Sequence, residues 1–376
     1  MLLQTIAIVL VVIGHGKTGA LTPFSDWFPI YSYHMPLFVF ISGYFYKQGA
    51  EQHIFRSLVN KAKRLLIPYF IWNLVYGLVI LLFQQFGWIE YGQELNLYNL
   101  FVEPWVLGKQ FEFNRAAWFV PTLFLVQAVY ILFQLVFSHV KGKNWLLFLL
   151  FTFFGCGIIW YSNTTAMADY VIVLGKILFF LQFYHWGYLY RSVLEKCVPQ
   201  KYFLYLCLFF VLQLFLLKYV NQFDYWAYRC YFPGAHHIVE PILTSFTGIG
   251  FWVCIIKLLG PSIRENRIIR YIGQNTWTVM MHHILAFFIL NGIIGLAAGC
   301  FSLEGFRMDQ LHTNVWYTYS PNLPQFAMVY VVVGVALPLL VKYGVEKLVL
   351  SADEKFFKNQ HKNGGDHENS AQCTNC

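Results

Sequence analysis

Ten long runs of predominantly apolar residues, separated by short polar stretches, constrain this chain more than any other feature. A helix needs roughly 20 apolar residues to cross a bilayer. The runs fall at about Leu2–Leu21, Phe28–Tyr46, Leu65–Phe86, Trp118–Ser138, Trp145–Tyr161, Tyr170–Tyr190, Tyr202–Val220, Ile238–Leu259, Thr276–Ala298 and Gln325–Leu348. They are continuously apolar and too long for the alternating strands of a membrane barrel. Within hydrocarbon a helix satisfies its own backbone hydrogen bonds. The expected fold is therefore all-α: an integral membrane protein, a bundle of about ten transmembrane helices. Only 12% of the residues are charged, half the share of about 25% found in soluble domains, too few to coat a water-soluble surface. The expected organisation is a transmembrane domain over 1–350 and a polar, disordered tail over 351–376.

The net charge of +8 does not signal a nucleic-acid partner, because no basic run is long enough to form a patch. The basic residues mark topology instead. Lys47, Arg56, Lys61, Lys63 and Arg64 follow the second run, Lys141 and Lys143 the fourth, and Arg191, Lys196 and Lys201 the sixth. Lys257, Arg264, Arg267 and Arg270 flank the loop after the eighth, and Lys342, Lys347, Lys355, Lys358 and Lys362 close the chain. The other side carries Lys17, Lys109, Arg115, Lys218, Arg229 and Arg307. The excess of positive charge predicts both termini in the cytoplasm and outward-facing loops at 87–117 and 299–324. Those loops hold Trp88, Trp105 and Trp316, suited to an interfacial belt or to stacking on sugar rings. No basic leader with a small-residue cleavage site precedes the first run, which reads as a retained span. No phosphate-binding glycine loop occurs.

Polar groups inside a span are expensive and are functional suspects by default. His15 lies in the first run between Gly14 and Gly16, and His34 lies near the start of the second, at a matching depth. His282 and His283 are adjacent in the ninth. An imidazole accepts and returns a proton near neutral pH, as general-base chemistry requires; a buried histidine bonded to a neighbouring helix is the competing reading. Lys61 and Arg64 share one face where the third helix begins, and a guanidinium fork suits phosphate; simple topological anchoring competes. Lys176 needs a partner or a wet cavity at its depth. Ser42 and Gly43 suit helix packing. His236, His237 and Glu240 have a spacing that a metal tolerates, but no third ligand is identifiable, so no metal is expected. Cys373 and Cys376 form a lone C-x-x-C in the tail, which is weak evidence for chemistry.

Five segments in order carry a resemblance: IAIVLVVIGH around His15, YSYHMPLFVFISGYF around His34, KAKRLLIPYFIW around Arg64, AAWFVPTLFLV around Trp118, and IGQNTWTVMMHHILAFF around His282. Together they resemble membrane acyltransferase family 3, in particular its fucose 4-O-acetylase-like branch. The resemblance implies an O-acetyltransferase that moves an acetyl group from cytoplasmic acetyl-CoA to a sugar hydroxyl of a surface polysaccharide or its lipid-linked precursor. It implies a multi-pass location in the cell membrane, His15 as the catalytic histidine, and Lys61 and Arg64 on the CoA side. Two positions depart from the family pattern. Gln4 stands where a basic residue often lies eleven positions before the histidine, and Lys61 replaces the first Arg of an Arg-x-x-Arg pair. On this reading His34 orients His15 or binds the acceptor, Trp118 shapes the acceptor entrance, and either His282 or His283 lines the same cavity. The alternative is a multi-span transporter or flippase of a lipid-linked or small polar substrate.

Overall fold

The computed structural model describes residues 1–16, 28–165, 167–197, 199–219, 229–232, 238–300, 303, 305–319 and 326–368. Their regular structure is helical. The principal helices are α1 (Leu2–His15), α2 (His34–Tyr44), α3 (Ile54–Gln85), α4 (Phe119–Val136), α5 (Lys143–Thr164), α6 (Asp169–Leu189), α7 (Tyr202–Tyr219), α8 (Glu240–Leu258), α9 (Arg267–Gln274), α10 (Thr276–Cys300) and α11 (Ala327–Glu368). Seven helices among the described residues are long and apolar enough to cross a membrane. The remaining three of the ten expected runs give shorter apolar helices: Leu2–His15, His34–Tyr44 and Tyr202–Leu216. α11 runs on to Glu368, so the polar stretch after 350, expected to be disordered from its composition, is helical that far.

The second run illustrates why hydropathy alone misjudges length. It is apolar from Phe28, yet its α-helix begins only at His34, after a 3-10 turn over Ile30–Ser32. Pro29 caps that turn, and Pro36 sits in the first turn of α2, where no backbone N–H is needed. Side chains from two other helices hold the turn open. Gln213 Nε2 donates to Ser32 Oγ at 3.1 Å, and Ser245 Oγ donates to the Ser32 carbonyl at 2.9 Å. The 11 residues of α2 rise only about 16 Å at 1.5 Å each, roughly half of a hydrocarbon core of about 30 Å.

α2 and α6 cross at closest approach through two glycines. A Cβ placed on Gly43 would collide with the Tyr184 carbonyl oxygen, and one on Gly187 with the Phe40 carbonyl oxygen. The backbones touch because neither residue has a side chain, the usual device for tight helix packing in lipid. Gly43 therefore has the packing role its sequence context predicts. α3 begins eleven residues before its apolar run, at Ile54, and carries Pro68 inside it. Pro68 has no N–H to offer the Arg64 carbonyl, which frees that oxygen and favours a bend just beyond Lys61 and Arg64.

The loop over 87–117 folds back into the bundle in its second half. Gln110, Phe111, Phe113, Asn114, Ala116 and Ala117 are all buried. Asn73 of α3 ties the loop down: its Oδ1 accepts from Gln110 Nε2 at 2.7 Å and Asn114 Nδ2 at 3.3 Å, and its Nδ2 donates to the Leu100 carbonyl at 2.9 Å. Phe113 packs on Phe288 of α10 with ring centroids 5.0 Å apart. Irregular backbone is tolerated at such a place because protein, not lipid, surrounds it.

Lys176 of α6 serves the same loop. Its Nζ donates to the carbonyls of Trp105 at 3.1 Å and Val106 at 2.6 Å, closing the short helix Glu103–Val106. The partner this lysine needs is therefore loop backbone. Lys176→Met is expected to leave two buried carbonyls unpaired and cost about 2–4 kcal/mol, read as a lower melting temperature in detergent. An unchanged melting temperature would remove that role.

Candidate active site

His15 is the last residue of α1, and the Gly16 N–H closes the helix on the Val12 carbonyl. The imidazole thus projects from a fixed turn. Its Nδ1 lies 2.7 Å from Nε2 of His283 on α10, and the two ring planes are parallel within 3°. His283 Nδ1 faces the Val279 carbonyl at 2.9 Å and the Met280 carbonyl at 3.1 Å, one turn back on its own helix. His283 is fully buried.

The other face of the site comes from loops far away in sequence. Trp316 lies against the His15 ring, centroids 5.2 Å apart and planes tilted by 47°. The Arg115 guanidinium sits over Trp316 at 5.5 Å and bonds Glu112 at 3.0 Å. Arg115 also lies within electrostatic reach of His15. Arg115 counted in the sequence only as a loop charge, and Trp316 only as an interfacial or sugar-stacking residue. The one signal available was that FEFNRAAW is too apolar, and too free of glycine and proline, for an exposed loop.

Of the two adjacent histidines only His283 meets His15. Successive residues on an α-helix point about 100° apart, so His282 faces α3. There it shares a 2.6 Å hydrogen bond with the Tyr76 hydroxyl and meets the edge of Trp72 at 4.4 Å. Trp277 flanks it at 6.3 Å. His34 does not supply the bond that orients His15. Its Nδ1 donates to the Ile30 carbonyl at 3.0 Å, and Tyr31 packs edge-on to it at 5.2 Å. Tyr31 in turn donates to the Gly14 carbonyl at 2.6 Å. His34 therefore reaches the His15 turn through Tyr31.

Lys61 and Arg64 lie lower on α3. Lys61 Nζ donates to Gln127 Oε1 of α4 at 2.5 Å, while Arg64 is exposed. Trp72 is three turns beyond Lys61 on the same face, about 16 Å along the axis. Trp72 meets His282, the neighbour in sequence of the His283 that pairs with His15. Trp118 is elsewhere: it is buried beside Lys176, whose Nζ stands 5.5 Å from its ring, and it stacks on Phe180. Gln4, at the position where the resemblance leads one to expect a base, has its Oε1 buried without a hydrogen-bond partner among the described residues. His236, His237, Cys373 and Cys376 lie outside the described residues. The described residues contain no cluster of three or more His, Cys, Asp or Glu able to hold a metal.

One further buried histidine went unread in the sequence. His185 of α6 bonds the Tyr130 hydroxyl through Nδ1 at 2.9 Å and the Asn144 carbonyl through Nε2 at 2.7 Å. Both ring nitrogens are occupied, so His185 is a structural crosslink. His15 differs: its Nε2 has no hydrogen-bond partner among the described residues.

A multi-pass helical membrane protein with imidazoles paired in its interior is the class that fold and site define. The chain matches the family model of membrane acyltransferase family 3, described as an acyltransferase domain, over residues 2–343, nearly its whole length. It belongs to that family and is a membrane acyltransferase. No curated protein and no solved structure gives a significant match.

Proposed function

We propose that this acyltransferase moves an acetyl group from cytoplasmic acetyl-CoA to a sugar hydroxyl of a cell-surface polysaccharide or its lipid-linked precursor. The proposal places it in the plasma membrane with both termini in the cytoplasm. The observation that carries the reading is the buried His15–His283 pair, in which His15 Nε2 meets no hydrogen-bond partner among the described residues. Such an imidazole suits a hydroxyl, and the cationic Lys61–Arg64 pair near the start of α3 suits the phosphates of a nucleotide carrier.

In the proposed reaction His15 Nε2 takes the proton from the acceptor hydroxyl. The oxygen attacks the thioester carbonyl carbon, the C–S bond breaks as the ester C–O bond forms, and the proton passes from His15 to the departing thiolate. The thin arm of the carrier lies along the α3–α10 seam beside Trp72 and His282. Trp316, rather than Trp118, offers the face on which an acceptor sugar stacks, since it is the tryptophan against His15.

The direct test incubates membranes that contain or lack the protein with radiolabelled acetyl-CoA and envelope glycan. Protein-dependent label in the glycan is the expected result. With expression verified and acceptor present, no such label would move the reading to a transporter. A paired test addresses the carrier end. Arg64→Ala is expected to raise the KM for acetyl-CoA about 10- to 100-fold, the loss of one charge-assisted contact, with kcat little changed. An unaltered KM removes Arg64 from that role.

A further inference from the structure

We infer that His283 is a positioning residue that fixes the proton of His15 on Nδ1 and so leaves Nε2 as the bare base; the inference rests on the function proposed above. The argument runs along one chain of hydrogen bonds. The carbonyls of Val279 and Met280 can only accept, so His283 Nδ1, at 2.9 and 3.1 Å from them, carries a proton. A second proton on Nε2 would make the ring a cation inside a membrane helix, an expensive state without a counter-charge, and no carboxylate among the described residues bonds either ring. His283 is therefore neutral, with a lone pair on Nε2. That lone pair lies 2.7 Å from His15 Nδ1, which must be the donor. A neutral His15 then has its own lone pair on Nε2 and nowhere else.

Two consequences follow for the reaction. The tautomer able to deprotonate a hydroxyl at Nε2 is set before the acceptor arrives. When Nε2 takes the proton, the His15 Nδ1–H bond to His283 becomes charge-assisted and strengthens, and the two helix carbonyls behind His283 align their dipoles with it. The arrangement does for His15 what a carboxylate does in a serine-hydrolase triad. It does so with neutral groups, so no charge is buried in the resting protein. The 3° angle between the ring planes suits this, because the donor and acceptor lone-pair directions then lie in one plane.

The test uses the full-length protein labelled with 15N-histidine in lipid. The His15 signals are assigned by difference against His15→Gln, and their shifts report which ring nitrogen carries the proton. The expected result is the Nδ1–H form for His15. The Nε2–H form would overturn the inference whatever the activity proves to be. The kinetic arm compares two variants. His283→Leu removes the acceptor while filling the space; kcat is expected to fall about 100-fold, with the KM for acetyl-CoA unchanged. His283→Gln puts an amide oxygen near the former Nε2 and is expected to recover kcat to within about tenfold of wild type. Equal kcat in the two variants would overturn the inference, since packing alone does not distinguish an acceptor from a methyl group. Absence of acetyl transfer by the wild-type protein would defeat the proposed function and not the tautomer, which the spectra decide separately.

Discussion

His15→Ala is expected to lose acetyl transfer by about 10²- to 10⁴-fold, the range that a positioned general base contributes, while the protein still inserts and folds. The expected loss is in kcat rather than in the KM for acetyl-CoA, because the proposed function gives the carrier's phosphates to Lys61 and Arg64 of α3, away from His15. Folding should survive because His15 is the last residue of α1. Its removal leaves one acceptor, His283 Nε2, without its donor, at about 1 kcal/mol. The measurement is label incorporated per mole of purified protein, with the elution profile in detergent as the folding control. Wild-type activity in the variant would remove His15 from the mechanism. It would leave the chain's family membership untouched, since that rests on the whole sequence.

The second large effect concerns folding. Gly187→Ala is expected to prevent assembly of the bundle, although alanine ordinarily favours a helix. A Cβ at Gly187 would meet the Phe40 carbonyl oxygen, with the Tyr44 backbone nitrogen 2.7 Å away. These are backbone atoms and cannot rotate aside. Overpacking of side chains typically costs 1–3 kcal/mol, occasionally more, and a backbone clash belongs at or above the top of that range. The reciprocal change, Gly43→Ala, meets the Tyr184 carbonyl and should behave alike. Gly157→Ala is the control: it sits in α5 with nothing within 4 Å of a new Cβ, and should be neutral or stabilising by about 0.5–1 kcal/mol. Yield of monodisperse protein and melting temperature in detergent give the readout. Comparable behaviour of Gly187→Ala and Gly157→Ala would show that the α2–α6 crossing tolerates a side chain.

Parts of the candidate site were legible in the sequence for a clear reason. A histidine between two glycines in an apolar run is costly and uncommon, and that local fact singled out His15. Gly14 then proves to admit the Tyr31 hydroxyl, which lies 3.2 Å from where a Cβ would be. The spacing of Lys61 and Arg64 was equally local. The partners of these residues were not legible. Arg115 and Trp316 lie 201 positions apart in the chain and meet only because one loop folds inward beneath Asn73. Trp118 shares the motif that carries the resemblance, yet it lies against Lys176 and Phe180 and not against His15.

The sequence by itself determined that this protein is helical, lies in a membrane and belongs among the membrane acyltransferases. Those properties follow from hydropathy summed over a window and from motifs in a fixed order, neither of which requires knowing what touches what. Only the tertiary structure decided that α2 is half a span, that His283 and not His282 meets His15, and that the 87–117 loop turns back into the bundle. Each depends on rotational phase or on contacts between distant segments. A helix that is apolar on every face gives no phase in its sequence, so the direction in which its one histidine points is set by the neighbours that pack against it.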